Sequence, residues 1–183
     1  LLNKMSFYAQ DTGDYETAII LVRYALRIIE EQLGPDHPNT AAILNNLGVL
    51  YQEQEKFEEA EALYLQALTI IENQLHADNA LLVTRLKRLA QLYQKQGKID
   101  QELPVRQRIL SIHENTRGLE HLDTASSLHS LADCYQELGQ RQRARFHYER
   151  ALHIRERQLG SEHPDTRQSR LQIEKLLHDQ PGE

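Results

Sequence analysis

Between residues 44 and 68 the apolar positions fall into two periodic runs parted by a polar stretch. Leu44, Leu47 and Tyr51 share one face of a helix at i, i+3 and i+7, and Phe57, Ala60, Tyr64, Ala67 and Leu68 form a stripe at helical spacing on a second. The polar residues 52–56 between them predict an antiparallel hairpin. Gly48, Ala60 and Ala67 are small enough for close approach, and Leu47, Tyr51 and Tyr64 fill the remaining space. The pattern then recurs at a 42-residue interval. It returns as Leu89, Ala90, Tyr93, Gly97 and Ile99, and again as Leu131, Ala132, Tyr135, Gly139, Ala144, Tyr148 and Ala151. Read backwards, it gives Met5, Ser6, Ala9, Gly13, Tyr15, Ala18 and Ala25. Ile28, Ile70, Ile112 and Ile154 hold one phase, and Leu26, Leu68, Leu110 and Leu152 another.

Helix pairs repeated at this length predict a solenoid, because one hairpin cannot bury its own apolar face and must stack on the next. The expected organisation is a single domain over 1–183, with units at about 1–35, 36–77, 78–119 and 120–161 and a capping helix over 163–179. Helices are predicted over 1–10, 15–33, 40–54, 57–75, 81–96, 99–117, 123–138, 141–159 and 165–178, and no stretch alternates as a strand would. In the last helix, Leu171 or Ile173 and the pair Leu176–Leu177 are expected to dock, with Gln168, Arg170, Gln172 and Lys175 toward water. The third unit departs from the others. Glu102, Arg106 and Ile109 stand at the Ala, Tyr and Ala phases, and Pro104 lacks the N–H that would meet the carbonyl of Asp100. This predicts a helix that begins late, near Glu102, or kinks, with a looser hairpin. A hinge, or a polar pocket in which Glu102 and Arg106 pair with a partner, is the functional reading; tolerated drift is the other.

Composition narrows the function. The formal net charge is −6, against the positive field that nonspecific nucleic-acid binding needs. The one cysteine, Cys134, cannot close an internal disulfide and reads as a small semi-buried residue. With no apolar run long enough to span a bilayer and no signal peptide before the first repeat, a cytoplasmic protein is expected, excised from a longer chain. Nine histidines are the first candidates for chemistry. His37, His121 and His163 recur in phase, a repeat apart along one edge, whereas metal ligands must converge on one ion; a role in the turns is expected. His147 and His153 read as solvated. There is no phosphate loop, His-Glu-x-x-His pair or nucleophile elbow. No catalytic residue, metal site or cofactor is expected, and the chain is read as not an enzyme.

Leu44, Leu47-Gly48, Tyr51, Ala60, Tyr64 and Ala67 resemble the tetratricopeptide repeat signature, with leucine where tryptophan is usual. The 42-residue period and the linkers Leu33-Gly34…His37-Pro38…Thr40 and Leu159-Gly160…His163-Pro164…Thr166 resemble the long repeats of kinesin light chain. The resemblance implies an all-α, right-handed α–α superhelix of four helix hairpins plus a C-terminal capping helix. It also implies a protein-interaction scaffold that binds an extended peptide in its concave groove, lined by the first helix of each pair. The alternative is a sensor or regulatory C-terminal repeat domain of a larger signalling NTPase or effector protein.

On that resemblance, the groove residues are Asn3 and Phe7 in the first unit and Asn45, Asn46 and Val49 in the second. The third unit gives Thr84, Lys87, Arg88 and Gln91, and the fourth gives His129, Ser130 and Asp133. Asparagine offers a donor and an acceptor to a peptide backbone, and the cations suit carboxylates. Asn46 and Arg88 occupy phases that hold a terminal carboxylate in clamp-type members of the family, but Thr84 and Phe7 stand where a clamp has lysine and asparagine. Three readings stay open: a terminal clamp, a groove with a basic centre preferring an acidic segment, and simply solvated helix faces. The partner is a protein or peptide, without nucleic acid or membrane. The oligomeric state is not legible.

Overall fold

The computed structural model describes residues 12–74 and 79–178. Among these the regular structure is entirely helical. The eight helices are α1 (Tyr15–Leu33), α2 (Pro38–Glu53), α3 (Phe57–Glu72), α4 (Asn79–Lys95), α5 (Ile99–Arg117), α6 (Leu122–Glu137), α7 (Arg141–Leu159) and α8 (Pro164–His178). The helix expected over 1–10 lies outside the described residues. The chain divides into two compact units, Leu1–Gln96 and Gly97–Glu183, and within each unit every described helix packs on the next.

In the first unit α2 is the most enclosed helix. Ala41, Leu44, Leu47, Leu50 and Tyr51 are buried against Ala60, Tyr64, Ala67 and Ile71 of α3 and their neighbours. Gly48 is required by that contact: a Cβ there would lie 2.6 Å from Tyr64 Cε1, and Tyr64 is itself buried. In the second unit Leu128, Leu131, Ala132 and Tyr135 of α6 meet Ala144, Tyr148, Ala151 and Ile154 of α7, and α8 adds Leu176 and the partly buried Ile173. The expected docking of α8 therefore holds for Ile173 and Leu176, whereas Leu171 and Leu177 are exposed. Each phase tyrosine sends its hydroxyl to an earlier helix. Tyr51 accepts from Arg23, Tyr93 donates to Glu61 Oε1 at 2.9 Å, and Tyr135 accepts from Gln107 Nε2 at 3.0 Å.

The recurrent histidines close the turns by capping helices. Nδ1 of His37, His121 and His163 accepts from the backbone N–H of Asn39, Asp123 and Asp165 at 3.1, 3.0 and 3.2 Å. Each ring satisfies an N–H that the first helical turn leaves without a partner. Thr40 and Thr124 reach back to the carbonyls of Gly34 and Gly118 at 2.9 and 2.7 Å, tying the end of one helix to the start of the next. The hairpin turns use a positive φ at one phase: Gly13, Gly97 and Gly139 at 72°, 67° and 69°. Glu55 holds the same phase at 59°, a conformation that costs a residue with a Cβ.

The sequence offered two forms for the departure at α5, a late start or a kink at Pro104. The helix does not start late. Gln101 and Glu102 both donate to the carbonyl of Lys98 at 3.0 Å, so the first turn is in place and Pro104 lies inside the helix. Glu102 and Arg106, one turn apart, form an ion pair with each other, and Glu102 is only 1% exposed. Cys134 of α6 is buried beside them, and burial, reinforced by the Glu102 carboxylate, pushes its thiol up to about 12.

Candidate functional site

The sequence-derived site residues separate into those that water reaches and those that packing has taken. On α4, Thr84, Lys87, Arg88 and Gln91 are all exposed, and their i, i+3, i+4, i+7 spacing puts them on one face. The helix carries Arg85, Lys87, Arg88 and Lys95 and no carboxylate, in a chain whose formal charge is −6. Lys95 lies 3.8 Å from Glu53. Among the described residues Lys87 and Arg88 make no ion pair. Thr84 spends its hydroxyl on the carbonyl of Ala80 at 2.8 Å.

Arg85 was not anticipated as part of this face. It is half-buried, and burial first and the neighbouring charge of Arg88 second lower its pKa. Its Nε is enclosed and finds no hydrogen-bond partner among the described residues. The sequence did hold a signal. Arg85 shares a phase with Ser127 and Ser169, and the residue fourteen before each is Ile71, His113 and Arg155. His113 Nδ1 meets Ser127 Oγ at 2.7 Å and Arg155 Nη1 donates to Ser169 Oγ at 2.7 Å. At Arg85 the corresponding residue is an isoleucine, which offers nothing to accept.

On α2, Asn46 and Val49 are half-buried, and Asn45 is 6% exposed with its Oδ1 enclosed and without a hydrogen-bond partner among the described residues. Gln52 is buried and accepts from the Tyr64 hydroxyl at 3.3 Å. Burial holds that hydroxyl well above the ordinary tyrosine value, with the Arg88 charge acting in the opposite direction. On α6, Ser130 and Asp133 are half-buried. Asp133 accepts from the Tyr148 hydroxyl, and His129 is buried in the packing of α6, α7 and α8. Asn3 and Phe7 lie outside the described residues.

His147 corrects the reading of a solvated side chain. It is half-buried, stacked on Tyr135 with centroids 5.3 Å apart and planes at 6°, and burial and Arg150 lower its pKa. His153 is exposed. Among the described residues no cluster of three or more His, Cys, Asp or Glu side chains has the disposition of a metal site, and no helix is long and apolar enough to cross a membrane.

The model of the tetratricopeptide repeat family matches residues 1–73 and 79–157. The chain belongs to the tetratricopeptide repeat family. A solved structure of a Podosopora anserina protein with nearly identical tetratricopeptide-like repeats, described as a kinesin light chain, is 25% identical with a TM-score of 0.82, over 97% of this chain and 84% of that one. BtubC of P. vanneervenii is 22% identical with a TM-score of 0.70, over 90% of this chain and 66% of that one. The apo form of RapI is 17% identical with a TM-score of 0.78, over 94% of this chain and 46% of that one. The last two likenesses show the fold alone. No curated protein sequence matches the chain. These tetratricopeptide repeats are of the kinesin-light-chain-like kind, and repeats of this family generally serve protein–protein interaction.

Proposed function

We propose that the chain is a non-catalytic interaction module that binds an extended acidic segment of a partner protein, with Lys87 and Arg88 of α4 as its electrostatic centre. The observation that carries this reading is the cation-only composition of α4 together with the exposure of both side chains. In an otherwise acidic protein such a face concentrates positive potential, which raises the encounter rate of an acidic segment and penalises a basic one. Arginine can take a carboxylate through two parallel N–H···O bonds, and lysine adds a point charge one residue away. Gln91 on the same helix and Asn46 on α2 supply donors and acceptors for the backbone of a segment lying across them.

The kinesin-light-chain likeness favours an adaptor role for this module. A peptide array probed with the wild-type chain and with the double variant Asn46→Ala/Arg88→Ala tests the reading. Acidic peptides should dominate the wild-type hits, and their signal should fall by roughly tenfold in the double variant, as loss of about 1.4 kcal/mol implies. Hits that survive the double substitution unchanged, or a wild-type preference for basic peptides, would overturn it.

A further inference from the structure

His129 of α6, Arg155 of α7 and Ser169 of α8 meet inside the second unit, at 8%, 7% and 0% exposure. Arg155 Nη1 donates to Ser169 Oγ at 2.7 Å and to the carbonyl of Asp165 at 3.1 Å, and it lies 3.3 Å from His129 Nδ1. A guanidinium has donors only, so the neutral tautomer that suits this contact presents the Nδ1 lone pair to Arg155 and keeps the ring proton on Nε2. Nε2 faces Asp133 Oδ1 at 3.9 Å, and the ring packs edge-on to Tyr148 with centroids 4.9 Å apart. Arg155 thus ties α7 to α8 directly, and His129 Nδ1 of α6 lies against both members of that tie, 3.3 Å from Arg155 Nη1 and 3.4 Å from Ser169 Oγ.

We propose that this cluster is a proton-sensitive latch for α8: Arg155 holds the helix while His129 is neutral, and a proton on His129 loosens it. A second N–H at Nδ1 would point at an N–H of Arg155, and two cations would stand in contact in the interior. The charged and titratable groups around the ring are Asp133 on its own helix, Arg155 and Tyr148 on α7, and Asp165 on α8. The two aspartates favour the proton; burial and Arg155 oppose it. Burial is the largest influence, and the His129 pKa lies below the ordinary value. The released state therefore takes up the proton more readily than the docked one. Docking is at full strength above about pH 6.5 and weakens as pH falls below it. The effect should be concentrated on α8 because that helix buries only Thr166, Ser169 and Leu176. This inference is independent of the proposed acidic partner.

Amide hydrogen exchange of the full chain at pH 7.5 and 5.5, corrected for intrinsic rates and referenced to α2 and α3, tests it. The protection of α8 should drop on the order of tenfold between the two pH values, one unit of proton linkage. In His129→Asn, whose amide oxygen replaces the acceptor and cannot ionise, the drop should vanish. In His113→Asn it should persist, which separates the latch from the other buried histidine. A pH-independent α8 in the wild type, or an undiminished response in His129→Asn, overturns the proposal. Should His129→Asn fail to fold, NMR titration of the wild-type ring decides, and a midpoint at or above about 6.5 overturns it.

Discussion

The hairpins α2–α3 and α6–α7 occupy the same phases of the repeat and solve the same packing problem differently. In the first, Gly48 faces Tyr64 so closely that a Cβ would lie 2.6 Å from the ring. In the second, that position is Ala132, fully buried, opposite Tyr148. The hydroxyls differ as well. Tyr64 donates to Gln52 at 3.3 Å, whereas Tyr148 is shared between Gln136 at 3.0 Å and Asp133, which stands at the phase of Val49. The repeat thus keeps the order of large and small residues while one methyl group and one acceptor vary where the tyrosine sits. The helix α5 goes further. There the Ala and Tyr phases hold Glu102 and Arg106, and an ion pair occupies the space of a ring.

The sharpest way to break this comparison is to remove the cation at α5. Arg106→Ala leaves the Glu102 carboxylate buried without its partner and should cost about 3–5 kcal/mol in chemical denaturation. Glu102→Ala/Arg106→Tyr gives α5 the residues of α3, and most of that loss should return. A single substitution costing under about 1 kcal/mol would mean that water already solvates the pair.

Next comes the glycine. Gly48→Ala should destabilise by about 1–3 kcal/mol, because Tyr64 has no free space to retreat into. The reverse change, Ala132→Gly, should cost only about 1 kcal/mol, the backbone price of a helical glycine. Equal responses at the two sites would show that the two tyrosines have the same freedom.

Smaller effects test the turns. His121→Ala removes an N-terminal capping acceptor and should cost about 1 kcal/mol, read as a lowered denaturation midpoint. Glu55→Gly should act in the opposite direction, stabilising by about 0.5–1 kcal/mol, because it relieves the positive φ that the equivalent turns assign to glycine. A loss of stability there would mean that the Glu55 side chain contributes more than its backbone strain.

The helices were legible because the period is exact in the tyrosines: Tyr51, Tyr93 and Tyr135 mark three first helices at the 42-residue interval, and the structure has α2, α4 and α6 there. The range of α5 follows from the helical period, and the late start offered as one alternative at Pro104 does not occur, because a proline inside a helix forfeits one hydrogen bond without unmaking a first turn already closed on Lys98. The pairing of Glu102 with Arg106 was readable from their i, i+4 spacing, once an internal partner is considered before an external one. The capping role of His37, His121 and His163 was half legible: recurrence placed them in turns, and only geometry showed Nδ1 as the acceptor. The exposed face of α4 follows from helical spacing alone. The burial of Asn45 and His129 does not, since phase says which side a residue occupies and not how deeply its neighbours cover it. Arg155 reads as another charge on a basic helix until Ser169 and His129 are seen around it.

The most direct measurement is fluorescence anisotropy with an acidic peptide taken from the array and its twin carrying Asn and Gln in place of Asp and Glu, against wild type and Lys87→Glu/Arg88→Glu. The acidic peptide should bind wild type about tenfold or more tightly than its twin, with the advantage shrinking as salt is raised and disappearing in the charge-reversed variant. Equal affinity for the two peptides, or an advantage that persists after the charge reversal, would contradict a partner held through α4.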